Sequence, residues 1–450
     1  MLSDVIAALS TPPGRSAIAV VRLSGFGAFD VAGRVLRPFQ REPQRRASRV
    51  SVVHPTTKEI IDQALYVVYQ APGSYTGEDT VEISTHGGVL VPSETLGALF
   101  QAGARLATPG EFTRRAVING KMDVLQAEAV GDLIDATSPS QRRAAISQLD
   151  RGLSKRIEAL RSQVLELEAL ICYEIDFPEE DSGPVPPERI DAALRRLADS
   201  LRLLSRTAAE GERLRDGALA VIAGRPNAGK SSLFNALLGT DRAIVTEAPG
   251  TTRDAIEAAV SCDGFPFRLI DTAGLRPTEE PTEDRIERLG IEVSRRYLSS
   301  ADVVVFCVES GQTLSAAERE FLDDLEAPTL VVETKADLGA GAAGAPVLRT
   351  SAVSGVGLSE LRTELARFAF ANLSAQSEME PLVTRERHRA ALAVASDEVD
   401  AFREARDSGL EGAVAAVHLR AAVASLEDII GAVTHQDVLD RLFASFCVGK

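Results

Sequence analysis

From Ile146 onwards, apolar side chains recur at helical spacing: Leu149, Leu153, Ile157, Leu160, Val164, Leu167 and Ile171, in steps of three and four. Such a seam predicts one long amphipathic helix. The Pro- and acid-rich FPEEDSGPVPPE (177–188) breaks it, and a second helix is expected from 189 to about 215. Upstream, the runs AIAVVRL (17–23), ALYVVY (64–69) and TVEIS (80–84) are short, β-rich and separated by Gly/Pro turns. They predict a mixed α/β region. Between 217 and about 370, β-rich runs at 219–223, 268–270, 303–308, 330–333 and 347–349 alternate with helical patterns. That rhythm predicts a parallel sheet with crossover helices. Helical texture returns from about 381. There Leu392, Val399 and Phe402 share one face, as do Val414, Val417, Ala421 and Ala424. The expected architecture is multi-domain, α/β plus all-α. A first domain spans 1–118, and a helical domain is built from two flanks, 119–214 and 375–450. An α/β domain at 215–374 is inserted between them.

Composition adds limits. A chain of 450 residues suggests about three domains. The net charge of −16 argues against nucleic-acid binding by bulk charge and leaves room only for a local basic patch. The four cysteines, Cys172, Cys262, Cys307 and Cys447, form no CxxC pair, so neither a disulfide framework nor a zinc site is expected. Cys172 and Cys307 read as core residues, and His86 as a turn residue. The N-terminal MLSDVIAALSTPPGR does not read as a signal peptide, and no apolar run approaches 18 residues. A soluble, cytoplasmic protein with no membrane span is expected. Only six lysines occur, Lys58, Lys121, Lys155, Lys230, Lys335 and Lys450. A chain so biased towards Arg is expected to keep Lys where a guanidinium does not serve.

Lys230 falls in such a place. Gly224-Arg-Pro-Asn227-Ala228-Gly229-Lys230-Ser231-Ser232 follows a predicted strand and opens the helical LFNALLG. This is the GxxxxGK[ST] phosphate loop, whose backbone N–H groups and helix N-terminus cradle phosphates. Lys230 is expected on the β- and γ-phosphates and Ser231 on magnesium. Asp271-Thr272-Ala273-Gly274 follows the strand RLI, placing an acid near magnesium through water and the Gly274 N–H towards the γ-phosphate. Thr334-Lys335-Ala336-Asp337 and Thr350-Ser351-Ala352 resemble the Asn-Lys-x-Asp and Ser-Ala base-reading motifs of GTPases. Asp337 can accept from both guanine N–H groups, which adenine cannot match. Thr334 stands where Asn is usual and lacks the amide that ties loops to the base, so weaker nucleotide affinity is expected. Between these motifs lies Gly250-Thr251-Thr252-Arg253-Asp254. Alone it reads as a turn; its placement makes Thr252 a magnesium ligand. Leu275 follows DTAG where Ras-like proteins place a water-orienting Gln, so another group must act.

The chain resembles the tRNA modification GTPase MnmE (TrmE) family over essentially its whole length. The resemblance lies in TPPGRSAIAVVRLSG (11–25), SYTGEDTVEISTHGG (74–88), PGEFTRRAVINGKMD (109–123), GRPNAGKSSLFNALLG (224–239), APGTTRD (248–254), DTAGL (271–275), ERLGIE (287–292) and FCVGK (446–450). Related ribosome-assembly GTPases share the nucleotide motifs. The N-terminal runs and the terminal Cys-x-Gly-Lys are more specific.

The resemblance implies a folate-binding-like N-terminal domain, a helical domain and an inserted Ras-like P-loop GTPase domain. It implies GTP hydrolysis activated by potassium, held by Asn227, Thr246, Ala248 and Thr251, with Glu247, Pro249 and Gly250 in the same nucleotide-facing loop. Glu287 falls on the family's water-orienting acid; on its own it reads as an exposed helical Glu. A tetrahydrofolate, in its 5-formyl or 5,10-methylene form, would meet Arg22, Glu82, Lys121 and Lys450. Cys447 would be a reactive or positioning thiol; alone it reads as a buried one. The implied partners are a second copy, joined through the N-terminal domain, an FAD-dependent MnmG-like subunit in a heterotetramer, and tRNA. Together they would add a carboxymethylaminomethyl-type group at carbon 5 of the wobble uridine. The alternative expectation is a ribosome-assembly GTPase that binds rRNA without modifying it. It predicts a basic RNA-binding appendage, and neither flank has an obvious one.

Overall fold

The structure, a computed structural model, describes residues 4–41, 45–176, 186–239, 256–271, 297–339, 348–374, 381–431, 443, 446 and 448–449. The chain divides into two compact units, Met1–Gly131 with Glu427–Lys450, and Asp132–Leu426.

In the first unit, β1 (Ile6–Leu9), β2 (Gly14–Ser24), α1 (Ala28–Val35), β3 (Leu36–Arg37), β4 (Ser48–Val53), β5 (Ile60–Tyr69), β6 (Thr80–Gly88), α2 (Leu90–Gln101), β7 (Arg105–Leu106), α3 (Glu111–Ile118) and α4 (Val124–Asp135) follow in order. Among the described residues its sheet runs β3-β4-β5-β6-β2-β1-β7, antiparallel except for β1 with β7. The period-two alternation of strands sorts the side chains to two faces. Val21, Leu23, Val81 and Ile83 join Phe29, Val35 and Leu99 from α1 and α2 in one core. The residues between them, Arg22 on β2 and Glu82 on β6, are paired directly opposite each other on the other face. Ile6, Ala8 and Phe112 of α3 form a smaller cluster with Tyr75. Phe443 packs against Val124 and Ala127, so the last part of the chain returns to this unit.

The second unit continues with α5 (Pro139–Leu149), α6 (Gly152–Asp176), α7 (Pro187–Ser205), α8 (Ala208–Asp216), β8 (Ala218–Gly224), α9 (Lys230–Gly239), β9 (Ile256–Cys262) and β10 (Phe265–Asp271). Then come β11 (Val303–Glu309), α10 (Ala316–Asp323), β12 (Thr329–Thr334), β13 (Leu348–Arg349), α11 (Leu358–Ala369), α12 (Ala371–Ser374), α13 (Glu386–Asp407) and α14 (Gly412–Ile430). The described sheet has the order β13-β12-β11-β8-β10-β9, parallel except for β9 against β10. Both faces of β8 are covered. Ala218, Ala220 and Ile222 pack with α9 and α11, while Leu219, Val221 and Ala223 pack with Val304, Phe306 and Leu298. Burial on both sides is why these strands read as continuous apolar runs. In the helical layer, α7 packs on α6 and on α13, which lie on opposite sides of the α/β segment in sequence.

The predicted strand runs and the parallel sheet are present. Four helical expectations change. The seam from Ile146 is not one helix: a capping box at Ser138 with Pro139 starts α5, which ends at Leu149. Arg151 then takes φ 64, and a Cβ on Gly152 would lie 2.9 Å from the Ser147 carbonyl oxygen. The chain turns there and restarts as α6, leaving Ile146 44% exposed while Leu153 to Ile171 stay on the buried seam. The helix expected from 189 to about 215 is two helices, α7 and α8. On α14 the expected face is the wrong one. Val414 and Val417 are 54% and 58% exposed, while Leu419, Ala422, Leu426 and Ile429 are buried. This helix is apolar nearly all round, so its period does not select a face. Cys172, expected in the core, is exposed on α6.

Candidate functional site

The phosphate loop sits at the carboxyl end of β8, where the strand order reverses between β10 and β11. Open α/β sheets bind ligands at such a switch point. Gly224 has φ 134, and a Cβ there would lie 2.4 Å from the Cys307 carbonyl oxygen on β11. Asn227 and Gly229 also take positive φ, 64 and 79. These conformations turn the loop tightly onto the start of α9, whose first residue is Lys230. Lys230 is buried, and its Nζ donates to the carbonyls of Gly224 (2.9 Å) and Arg225 (2.7 Å). Ser231 and Ser232 are exposed in the first turn. Asp271 is buried at the end of β10, in register with Ile222 of β8. Burial pushes the Cys307 thiol up to about 12, against the pull of the Lys230 ammonium and with the push of the Asp271 carboxylate. Cys307 is therefore a core thiol, as expected, and both charges stand within reach of it.

Two loops approach from the other side. Thr334 ends β12, is buried, and its hydroxyl lies 2.7 Å from the Ala228 carbonyl and 3.2 Å from that of Val308. Lys335 takes φ 55 and pairs with Glu309 at 2.8 Å. The Ser351 hydroxyl donates to Asp337 Oδ1 at 2.5 Å and accepts from the N–H groups of Val353 and Ser354. That chain of bonds fixes the rotation of the Asp337 carboxylate. A cavity of about 300 Å³ lies between the loops, lined among others by Gly229, Ser232, Thr334, Lys335, Asp337 and Ala352.

In the first unit, Arg22 donates to Glu82 through Nε at 3.0 Å and pairs with it at 2.8 Å through a terminal nitrogen. Its guanidinium lies 5.4 Å from the Tyr75 ring centre and 5.6 Å from that of Phe112. Tyr69 donates to the other Glu82 oxygen at 3.4 Å. The Gly449 carbonyl accepts from Ser10 Oγ (3.1 Å) and Arg22 Nη1 (3.4 Å), bringing the chain's end to this pair. Lys121 is exposed and donates to the Pro72 carbonyl instead. His86 is exposed and paired with Asp62 at 2.7 Å.

The family model described as MnmE helical domain matches residues 124–447, and that described as GTP-binding protein TrmE N-terminus matches 5–121. The tRNA modification GTPase MnmE of Aquifex aeolicus is 39% identical over 456 residues, covering 100% of both chains.

The chain belongs to the tRNA modification GTPase MnmE family.

The same-named protein of Salinibacter ruber is 41% identical over 100% of this chain and 99% of its own. Among solved structures, the G domain of the T. maritima FeoB iron transporter is 29% identical, covering 34% of this chain and 98% of its own at a TM-score of 0.27. The chain has the family's N-terminal, helical and P-loop GTPase parts and is a GTP hydrolase. Among the described residues, no helix is long and apolar enough to cross a membrane.

Thr246, Glu247, Ala248, Pro249, Gly250, Thr251, Thr252, Thr272, Ala273, Gly274, Glu287, Cys447 and Lys450 lie outside the described residues. Sequence reasoning missed Glu309 and Glu318 near the phosphate site and the rings of Tyr75 and Phe112 beside Arg22. For Glu318 a signal existed, the Ser-x-x-Glu of a capping box at Ser315.

Proposed function

We propose that this chain is a potassium-activated GTPase of tRNA wobble-uridine modification. The observation that carries the nucleotide half is the cavity in which Gly229 and Ser232 of the phosphate loop and its helix face Asp337 and Ala352. GTP would lie with its phosphates on the N–H groups of 227–232 and Lys230, and its guanine on Asp337. The exposed Ser231 hydroxyl fits a hard, oxygen-seeking magnesium ion, with Thr252 completing its shell. Asn227, exposed with positive φ, is open to a potassium ion shared with Thr246, Ala248 and Thr251. A monovalent cation beside the phosphates supplies the charge that an arginine finger gives elsewhere. Glu287 would orient the attacking water.

The modification half draws support from full-length relatives named for tRNA modification. A tetrahydrofolate, supplying the one-carbon unit, would meet Arg22, Glu82, Lys121 and Lys450, with Cys447 as a reactive or positioning thiol. Glu82 suits the N–H edge of a pterin, and the Tyr75 and Phe112 rings offer flat apolar surface. The partners are a second copy through the N-terminal domain, an FAD-dependent MnmG-like subunit, and tRNA, all in the cytoplasm. With bulk charge of −16, the partner would supply much of the tRNA surface.

Mass spectrometry of wobble nucleosides from a deletion strain tests the proposal. Loss of a carbon-5 aminomethyl-type uridine is expected, and an unchanged nucleoside profile overturns it. Replacing sodium by potassium should raise GTP turnover several-fold, and N227A should erase the difference. Equal rates in both salts remove the potassium site.

A further inference from the structure

The two carbonyls that hold Lys230 are both anchored from outside the phosphate loop, and by the same neighbouring segment, β11 with α10. The Gly224 peptide is anchored by contact, pressed onto the Cys307 backbone of β11. The Arg225 peptide is anchored by its side chain. Arg225 Nε donates to Glu318 Oε1 at 2.6 Å, and a terminal nitrogen donates to Glu318 Oε2. Nη1 donates to Gln312 Oε1 at 3.0 Å, and Nη2, which also serves Glu318, reaches the Thr313 carbonyl at 3.3 Å. Glu318 is itself fixed. It is the third residue of α10 and accepts from the Ser315 N–H and hydroxyl, both at 2.8 Å. The Arg225 bond, foremost, holds its carboxyl at about 2, so the pair stays charged at any physiological pH. The next residue, Pro226, has no N–H, so the loop has no backbone donor of its own at that point.

We propose that Arg225 is a positioning residue for GTP binding, acting through Glu318 to fix the carbonyl that aims Lys230 at the phosphates. This rests on reading the loop as the GTP site. A bidentate guanidinium–carboxylate pair has the geometric specificity for such a task, whereas an exposed ion pair contributes little to overall stability. Free of the strap, the Arg225 peptide would turn and Lys230 would lose that carbonyl. Affinity for the nucleotide would fall more than the rate of the bound complex.

The test measures GTP KM, kcat and GDP Kd for the full-length chain. R225A is expected to raise Kd and KM about fivefold, with a smaller change in kcat. E318Q should move them the same way by less, and R225K should fall between, since Lys keeps the charge without the fork. The reversed pair R225E/E318R should recover part of the affinity. Wild-type Kd in R225A, or a loss confined to kcat, overturns the proposal. So does weakened binding in R225A with none in E318Q and no recovery in the reversed pair, since Arg225 would then act on the nucleotide directly. K230A separates the two readings. If it binds GDP normally, the loop is not the nucleotide site and the strap falls with it; if it loses binding while R225A does not, only the strap falls.

Discussion

The hydroxyl of Thr334 reaches across to the Ala228 carbonyl at 2.7 Å, joining the loop after β12 to the phosphate loop. Gly229 beside it takes φ 79, and a Cβ there would be in ordinary contact, 3.4 Å, with the same hydroxyl. Thr thus ties the two loops together by a hydroxyl where GTPases commonly carry an Asn. T334A removes one buried hydrogen bond worth about 1 kcal/mol, so GDP affinity should fall about fivefold. T334S keeps the hydroxyl and should stay near wild type. Isothermal titration checks both; equal affinity in T334A and T334S would show the bond to be without consequence.

Asp337 is held in rotation by Ser351, and on the proposed reading of the cavity as the GTP site its acceptor character selects the base. D337N exchanges one acceptor oxygen for an N–H₂ donor. Guanine then meets a donor with its own N–H, and affinity for GTP should fall by more than about tenfold. Xanthine, with a carbonyl at that edge, should gain relative to guanine. Competition between the two nucleoside triphosphates measures the ratio.

Gly224 is the position at which the loop leaves the sheet. G224A places a Cβ 2.4 Å from the Cys307 carbonyl oxygen, at a φ of 134. Backbone must move, at a cost of about 1–3 kcal/mol. A lower melting temperature together with lost GTP binding is expected. A variant that keeps both would show that β11 yields at this contact.

Acid should weaken the first unit through Glu111. Burial raises its pKa, but Arg105, the Thr108 N–H and Arg115 outweigh this and hold it at about 2, against 4.5 for the free side chain. A carboxyl with a depressed folded pKa contributes its stability above the unfolded value. That contribution is lost as pH falls from about 4.5 towards 2. E111Q should therefore be less stable than wild type at neutral pH, and the gap should shrink across that window. Urea midpoints taken at successive pH values report it; a gap independent of pH would assign the effect to packing.

Much of the fold was legible because its signals are local. The runs that became β8, β10, β11 and β12 are apolar since both faces of that sheet are covered. The glycines, Lys230 and Asp337 stood at spacings that phosphate and guanine chemistry require. Where the pattern carried no directional information, the reading failed. Apolar residues all round α14 hid which side is buried. The helical spacing from Ile146 continued through Asp150–Gly152, although Arg151 leaves the helical region there. Cys172 looked like core because its helix is amphipathic, yet it lies off the seam.

The sequence by itself determined the class of fold and the family, because each rests on residue types at short, fixed spacings. Tertiary structure decided what depends on groups far apart in the chain. It set Arg22 against Glu82 across paired strands and brought the Gly449 carbonyl to them. It tied Thr334 to Ala228 and strapped Arg225 to Glu318, 93 residues away. No spacing rule announces such pairs, since a hydrogen bond needs its partners within about 3 Å in space, whatever their distance along the chain.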